Sequence, residues 1–474
     1  MTFQSLEYLI FLPVVFMLYW TVCRKSKVLQ NGLIVVASLV FYGWWDSRFL
    51  GLLLLSAFST FFAGWWIGQT TDQRKQKILL VGAIVLNVGI LFFFKYFNFF
   101  VQTFVDAFSL LGKKMSASTF NILLPVGISF YTFTALSYII DVYQQKVEPT
   151  KDVLAYLSYV MFFPSILSGP ISRAQKQLPQ YYNIRSFNYD MAVSACRSIL
   201  WGGVMKLCLA DRLGIYVDAV YANIAQHNGS TLLFTSILYT IQIYADFAGY
   251  SLMAIGCGKL FGIDLPTNFI RPYFAKTVTD FWRRWHISLT TWFRDYIYFP
   301  LGGNRCSKAR WMLNTMIVFT ISGLWHGAAY TFIIWGAMHG AYMVIERLIY
   351  GDKIKTISTK FSIANFFRLI ITFAFVNFAW VFFRVNDLAD VMIIFRKILF
   401  EPGRLFMDTD TLVYALMFAF LIFVNDFVEE YLSGKMKMMN NKHAVVRWVT
   451  YIFMVVLILL FGVLDGGSFI YFQF

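Results

Sequence analysis

His286 and His326 are the side chains in this sequence best placed to carry chemistry. His286 lies in DFWRRWHISLTTWFRDYIYFPLGGNR, residues 280–305, where charged side chains are packed among Trp, Phe and Tyr. His326 lies in MIVFTISGLWHGAAYTFIIW, residues 316–335, an otherwise apolar run. An ionisable group at membrane depth is costly, and usually marks function. A neutral imidazole can take a proton from a hydroxyl near pH 7. That chemistry suits acyl transfer from a thioester to an alcohol. The bland alternatives are a His326 satisfied by a neighbouring helix and a His286 bonded at the membrane interface. Three further histidines carry weaker signals. His339 follows His326 by 13 residues, about 20 Å along one continuous helix. Either the two act at different depths or the helix breaks near Gly327, and His339 is expected to pack. His227 and His443 lie in polar stretches and are expected to be solvated.

Several other chemistries lack their signatures. The sequence has no G-x-S-x-G elbow, no G-x-x-x-x-G-K-[ST] loop and no H-E-x-x-H pair, so serine-hydrolase, P-loop and zincin mechanisms have no support. Cys23, Cys196, Cys208, Cys257 and Cys306 are scattered. They form no C-x-x-C pair, so neither a metal site nor a disulfide framework is expected.

The elements holding these residues belong to a membrane protein. Of 474 residues, 59% are hydrophobic, 20% aromatic and only 14% charged, with a mean hydropathy of +0.62. Soluble domains run near 45–50% apolar and about 25% charged. Apolar stretches long enough to span a bilayer are expected at 5–22, 30–46, 50–68, 78–98, 120–142, 231–256, 311–326, 328–349, 364–384, 411–429 and 446–464. The run Leu9–Trp20 has no basic residue before it and no small-residue cleavage site after it, and reads as a retained helix. Segments 153–170 and 190–210 are apolar but interrupted. Pro164 and Pro170 bracket FPSILSGP, where the backbone must leave the helix. Such backbone survives at membrane depth only under cover of protein or along a water-filled cavity, so this segment is a candidate cavity wall.

Residues 280–296 are expected to form one amphipathic helix. Trp282, Trp285, Leu289, Trp292, Phe293 and Tyr296 share a face, and Asp280 and Arg284 can pair across one turn. LGGNR then reads as a turn, with Gly302 and Gly303 giving backbone freedom. The strings Gly323-Leu-Trp-His-Gly327 and Gly336-Ala-Met-His-Gly340 are both G-x-x-x-G, a spacing that lets helices approach closely.

The net charge is +15. Arg24, Lys25 and Lys27 follow the first span and Arg74, Lys75 and Lys77 the third. The positive-inside rule puts those loops in the cytosol and the N-terminus outside. The same basic faces suit an anionic partner such as coenzyme A phosphates or an acidic carrier protein. No soluble basic module is present, which argues against nucleic acid.

In these residues the chain resembles the membrane-bound O-acyltransferase family, and within it the alginate O-acetylation branch. A more distant likeness is to the teichoic-acid D-alanylation branch. The resemblance rests on FFPSILSGPISR at 162–173, QIYADFAGYSLMAIG at 242–256, the 280–305 block, GLWHGA at 323–328 and WGAMHG at 335–340. Leu252 and Ala248 depart from the branch's D-F-S-G-Y-S-D-M-A-I-G pattern. The resemblance implies an all-α ring of helices in a single polytopic domain over 1–474, with the catalytic core at 120–385 and helices plus an aromatic tail over 386–474. It implies a tunnel through a thinned centre, His326 as the essential histidine and His286 as the second. Trp282, Arg283, Trp285, Arg294, Asp295 and Trp325 become the substrate-binding candidates.

It further implies acetyl transfer from a cytosolic thioester, acetyl-CoA or an acyl-carrier thioester, with no bound cofactor. The acceptor would be an exported cell-surface polysaccharide, reached through an extracytoplasmic hydrolase-like partner at the bacterial cytoplasmic membrane. The competing readings are D-alanyl or other acyl transfer to a cell-wall polymer, acylation of a lipid or secreted protein, and transport of an acyl donor. The chain ends GGSFIYFQF. That tail reads either as an aromatic interface anchor or as a leash on which Tyr471 carries the acyl group as an ester.

Overall fold

The computed structural model describes residues 1–110, 120, 122–351, 362–432, 439–464 and 469–470, and among these the regular elements are helical. Among the described residues eight stretches are long and apolar enough to cross a membrane. The chain is an all-α, multi-pass membrane protein, as its composition requires. It divides into two compact units, Met1–Cys196 with Ala254–Pro266 and Arg197–Met253 with Thr267–Phe474.

The first unit holds α1 (Leu6–Thr21), α2 (Lys27–Asp46), α3 (Leu50–Gln69), α4 (Gln73–Leu110), α5 (Ile128–Tyr143), α6 (Val153–Val160), α7 (Phe163–Ile166) and α8 (Ala174–Gln177). Ser5 and Ser26 begin α1 and α2 by accepting the free N–H groups of Tyr8 and Leu29, as good N-caps do. The stretch expected to span at 120–142 behaves differently. It becomes helical only at Ile128, and 14 of the 16 residues of α5 are buried. Sixteen residues reach about 24 Å, short of the roughly 30 Å hydrocarbon core, so α5 packs inside the protein. Gly64 of α3 allows this, since a Cβ there would sit 2.6 Å from the Tyr138 ring. The FPSILSGP segment leaves the helix at Met161 and Phe162, both fully enclosed. Pro164 sits in the first turn of α7, where its missing N–H costs nothing.

In the second unit, two of whose boundaries fall within α9 (Tyr189–Gly203) and α11 (Gly229–Leu260), the expected interruption at 190–210 is bridged. α9 runs through a π-helical turn, Val204–Ala210, into α10 (Asp211–Tyr221), giving one 33-residue rod. Then follow α11, α12 (Val278–Arg284), α13 (Ile287–Phe293), a π turn at Arg294–Tyr298, α14 (Lys308–His326), α15 (Tyr330–Tyr350) and α16 (Ile363–Arg384). α17 (Leu388–Phe400), which the hydropathy pattern missed, α18 (Thr409–Tyr431) and α19 (Ala444–Phe461) complete it. Lipid-facing side chains such as Trp448, Ile452 and Leu459 leave α19 apolar on its outer face, as hydrocarbon demands.

The single helix expected over 280–296 is corrected. It breaks at Trp285, which is extended, and at His286, which is left-handed with φ 42° and ψ 53°. α14 likewise ends at His326, and Gly327 is extended before α15 begins. The two G-x-x-x-G motifs meet across this α14–α15 hairpin. A Cβ on Gly323 would lie 2.2 Å from Phe332 O, and one on Gly336 would lie 2.2 Å from Phe319 O.

Gly336→Ala is therefore expected to cost about 1–3 kcal/mol by overpacking. Gly82→Ala, on open space, should be neutral or favourable, because alanine is the better helix former. Thermal midpoints of the two purified variants in one detergent check this. Equal midpoints would remove the close approach as a determinant of the hairpin.

Candidate functional site

Both histidines fall in the second unit, and the two helix breaks bring their rings together. His326 is the last residue of α14 and is buried. Its ring centroid lies 4.9 Å from Trp325, 5.0 Å from Trp335 and 5.2 Å from Phe383. The His286 ring is 6.4 Å away. Residues 40 apart in sequence thus share one aromatic chamber, which Phe247 also enters at 4.7 Å from His286.

The left-handed backbone at His286 costs a β-carbon residue about 1–2 kcal/mol, and Asn268 offsets it. The backbone carbonyl of Asn268 accepts from Ile287 N at 3.0 Å. Its Oδ1 accepts from Ser288 N at 3.2 Å and Ser288 Oγ at 2.7 Å, and lies 3.3 Å from His286 Nδ1. Its Nδ2 donates to Ser251 Oγ at 3.2 Å. The backbone donation from Ser288 fixes the amide's orientation, and an amide oxygen only accepts. The proton of His286 therefore sits on Nδ1, leaving Nε2 as the basic nitrogen. His286 lies outside the spanning helices, and burial pushes its imidazole down to about 3, so the ring is neutral near pH 7.

The other expected site residues fall into two groups. Trp325 stands with the histidines, 6.1 Å from His286. Trp282, Arg283 and Arg294 line a cavity of about 330 Å³ together with Leu289, Phe293 and Ser322. Ser322 is one helical turn before His326. Arg283 and Arg294 are exposed, and Arg294 pairs with Asp295 at 2.8 Å. Trp285 is enclosed between Phe281 and Trp380, where it braces the break. His339 accepts a hydrogen bond at Nδ1 from Trp282 Nε1 at 3.3 Å, a packing role in keeping with its expectation. Asp280 and Arg284 pair at 3.1 Å, and Glu430 holds Arg284 from the other side. His443 is exposed, while His227 is half-buried against Phe406. Tyr471 lies outside the described residues. Among the described residues no three His, Cys, Asp or Glu side chains cluster to hold a metal ion.

Asn268, Ser251, Trp335 and Phe383 escaped the sequence reading. Asn268 carries no charge and belongs to no motif, and only the fold brings it under His286.

A sequence profile of the membrane-bound O-acyltransferase family matches residues 149–389, a span containing both histidines. The chain is 38% identical over 395 residues, 82% of its length and 73% of the relative's, to "Probable alginate O-acetylase AlgI" of Pseudomonas aeruginosa. It is 34% identical over 410 residues, 81% of its length and 76% of the relative's, to the "Peptidoglycan O-acetyltransferase" of Helicobacter pylori. It is 28% identical over 275 residues, 56% of its length and 69% of the relative's, to the "Teichoic acid D-alanyltransferase" of Bacillus subtilis.

Removing the Asn268 side chain strands the Ser288 donors inside the protein. Asn268→Ala is expected to cost about 1–3 kcal/mol, seen as a lowered thermal midpoint in detergent. Ser251→Ala, which leaves Asn268 Oδ1 in place, should cost less. The reverse order would mean that Asn268 does not hold the break.

Proposed function

The chain belongs to the membrane-bound O-acyltransferase family and is an O-acyltransferase, and from that premise we propose that it moves an acetyl group from a cytosolic thioester across the membrane for O-acetylation of an exported cell-surface polysaccharide. The observation that carries this reading is the shared chamber of His326 and His286 in a chain so similar to named O-acetylating proteins. The donor is acetyl-CoA or an acyl-carrier thioester. Arg283 and Arg294, exposed beside an otherwise largely aromatic and aliphatic cavity, suit a donor with anionic phosphates and a slender thioester arm. The loops around 24–27 and 71–77 face the cytosol and the N-terminus the outside.

In the reaction, His326 takes the proton of the acceptor hydroxyl. The oxygen attacks the thioester carbonyl carbon, forming the C–O bond. The C–S bond then breaks, and the departing thiolate takes the proton back from the His326 imidazolium. His286, with its proton committed to Asn268, presents Nε2 as an acceptor. That tautomer suits orienting the hydroxyl rather than donating to the thioester oxygen. The acceptor hydroxyl is either that of the sugar or the phenol of Tyr471, which would hand the acetyl group to an extracytoplasmic hydrolase-like partner.

Membranes containing the protein, given acetyl-CoA labelled in the acetyl group, should release CoA and move label to protein or polymer. His326→Ala should lower that transfer by about 10²–10⁴-fold, the usual contribution of a general base. Full transfer by the variant would sink the assignment. Tyr471→Phe keeps the ring and loses the hydroxyl. It should abolish label on the protein if the tail relays the acetyl group, and unchanged polymer acetylation would rule the relay out. Transfer from D-alanyl thioester but not acetyl thioester would move the reading to D-alanylation.

A further inference from the structure

A second cluster of ionisable side chains lies in the same unit, apart from the two histidines. Lys206 Nζ lies 2.6 Å from Asp211 Oδ1 and 2.6 Å from Asp246 Oδ1, with all three side chains buried. Burying such a group costs several kcal/mol per ion before pairing, so a merely structural core would do better with apolar residues. Two features bring the cluster together. Gly202 and Gly249 let their helices touch, since a Cβ on either would lie within 2.8 Å of the other's carbonyl oxygen. The π turn at Val204–Ala210 then sets Lys206 against Asp211 and Asp246 and releases carbonyls from the ordinary helical ladder.

The end of the chain uses those groups. At the end of α19 Arg212 Nε donates to Phe461 O at 3.1 Å, and just beyond it Val463 N donates to Leu207 O at 3.1 Å. The chain is described again at Phe469 and Ile470, both buried. Ile470 N donates to Asp246 Oδ2 at 2.9 Å. The Phe469 ring stacks on Tyr250 at 4.5 Å, touches Phe247 at 5.7 Å and lies 5.9 Å from Lys206 Nζ. Phe247 is the ring that also meets His286 at 4.7 Å.

We infer that Lys206, Asp211, Asp246 and the π turn form a docking site for the protein's own C-terminal tail and act as positioning residues, fixing its register beside His286 for acyl transfer. The transfer part rests on the function proposed above. An apolar pocket alone would accept Phe469 in several registers. A single buried acceptor for the Ile470 N–H admits one, which is the use for which buried ionic groups are best suited.

Two variants test the docking. Ile470→Pro deletes the N–H and leaves the charge cluster whole. Asp246→Ala deletes the acceptor while Asp211 still pairs with Lys206. The full-length protein in nanodiscs is treated with carboxypeptidase Y, which also releases C-terminal proline, and its intact mass followed. Trimming of the wild type should stall before Phe469, and both variants should be cut past it. Acetyl transfer by Ile470→Pro should fall between about 10- and 100-fold, as misplacement of a reacting group does, with the KM for acetyl-CoA unchanged. Wild-type protection in Ile470→Pro would overturn the docking. Lost protection with undiminished transfer would overturn its positioning role. A wild type that transfers no acetyl group would count against the function proposed above, while the digestion would still decide the docking.

Discussion

Inside a membrane protein, backbone that leaves the helix must find its hydrogen-bond partners within the protein. The second unit departs from regular helix at several points, and two of these departures have specific hydrogen-bond partners. The Trp285–His286 break is held by Asn268 through its carbonyl and its side chain. The π turn at Val204–Ala210 gives Leu207 O to Val463 N. The end of α14 is reached through a hairpin so close that Gly323 and Gly336 face each other's helix with no room for a side chain.

This explains why the chamber is aromatic. Trp285, Trp335 and Trp380 are among the most enclosed large side chains in the protein. Trp335 packs on His326, on His339 and on Trp380 at centroid distances of 5.0–5.6 Å. Rigid rings with few rotamers hold an imidazole at small entropic cost and keep water from it. A neutral histidine in such a place keeps a basic nitrogen for proton transfer. Among the charges that the unit buries, Lys206 is paired with Asp211 and Asp246 in a separate cluster. Arg283 and Arg294 stay exposed beside the cavity. Neutral proton chemistry, fixed charge and solvent-facing charge thus occupy three different places in one unit.

Composition and hydropathy alone determined that the chain crosses a membrane many times and is built of helices, because a bilayer admits few other solutions. The sequence also singled out His326 and His286, since an ionisable side chain among apolar ones stands out without knowledge of the fold. The G-x-x-x-G spacing announced the close hairpin, and the charge spacing announced the Asp280–Arg284 pair. What tertiary structure decided was every feature that depends on residues far apart. WRRWHIS contains neither Pro nor Gly, so nothing local marks a helix break at Trp285; its partners come from Asn268, 17 residues earlier. Apolar length suggested a span at 120–142, but packing took α5 into the interior. Asp246 lies 35 residues beyond Asp211 in the sequence, and the close crossing at Gly202 and Gly249 brings it to Lys206. Periodicity and composition report what a segment does next to water or lipid, whereas these partners are chosen by the meeting of helices, which no single segment encodes.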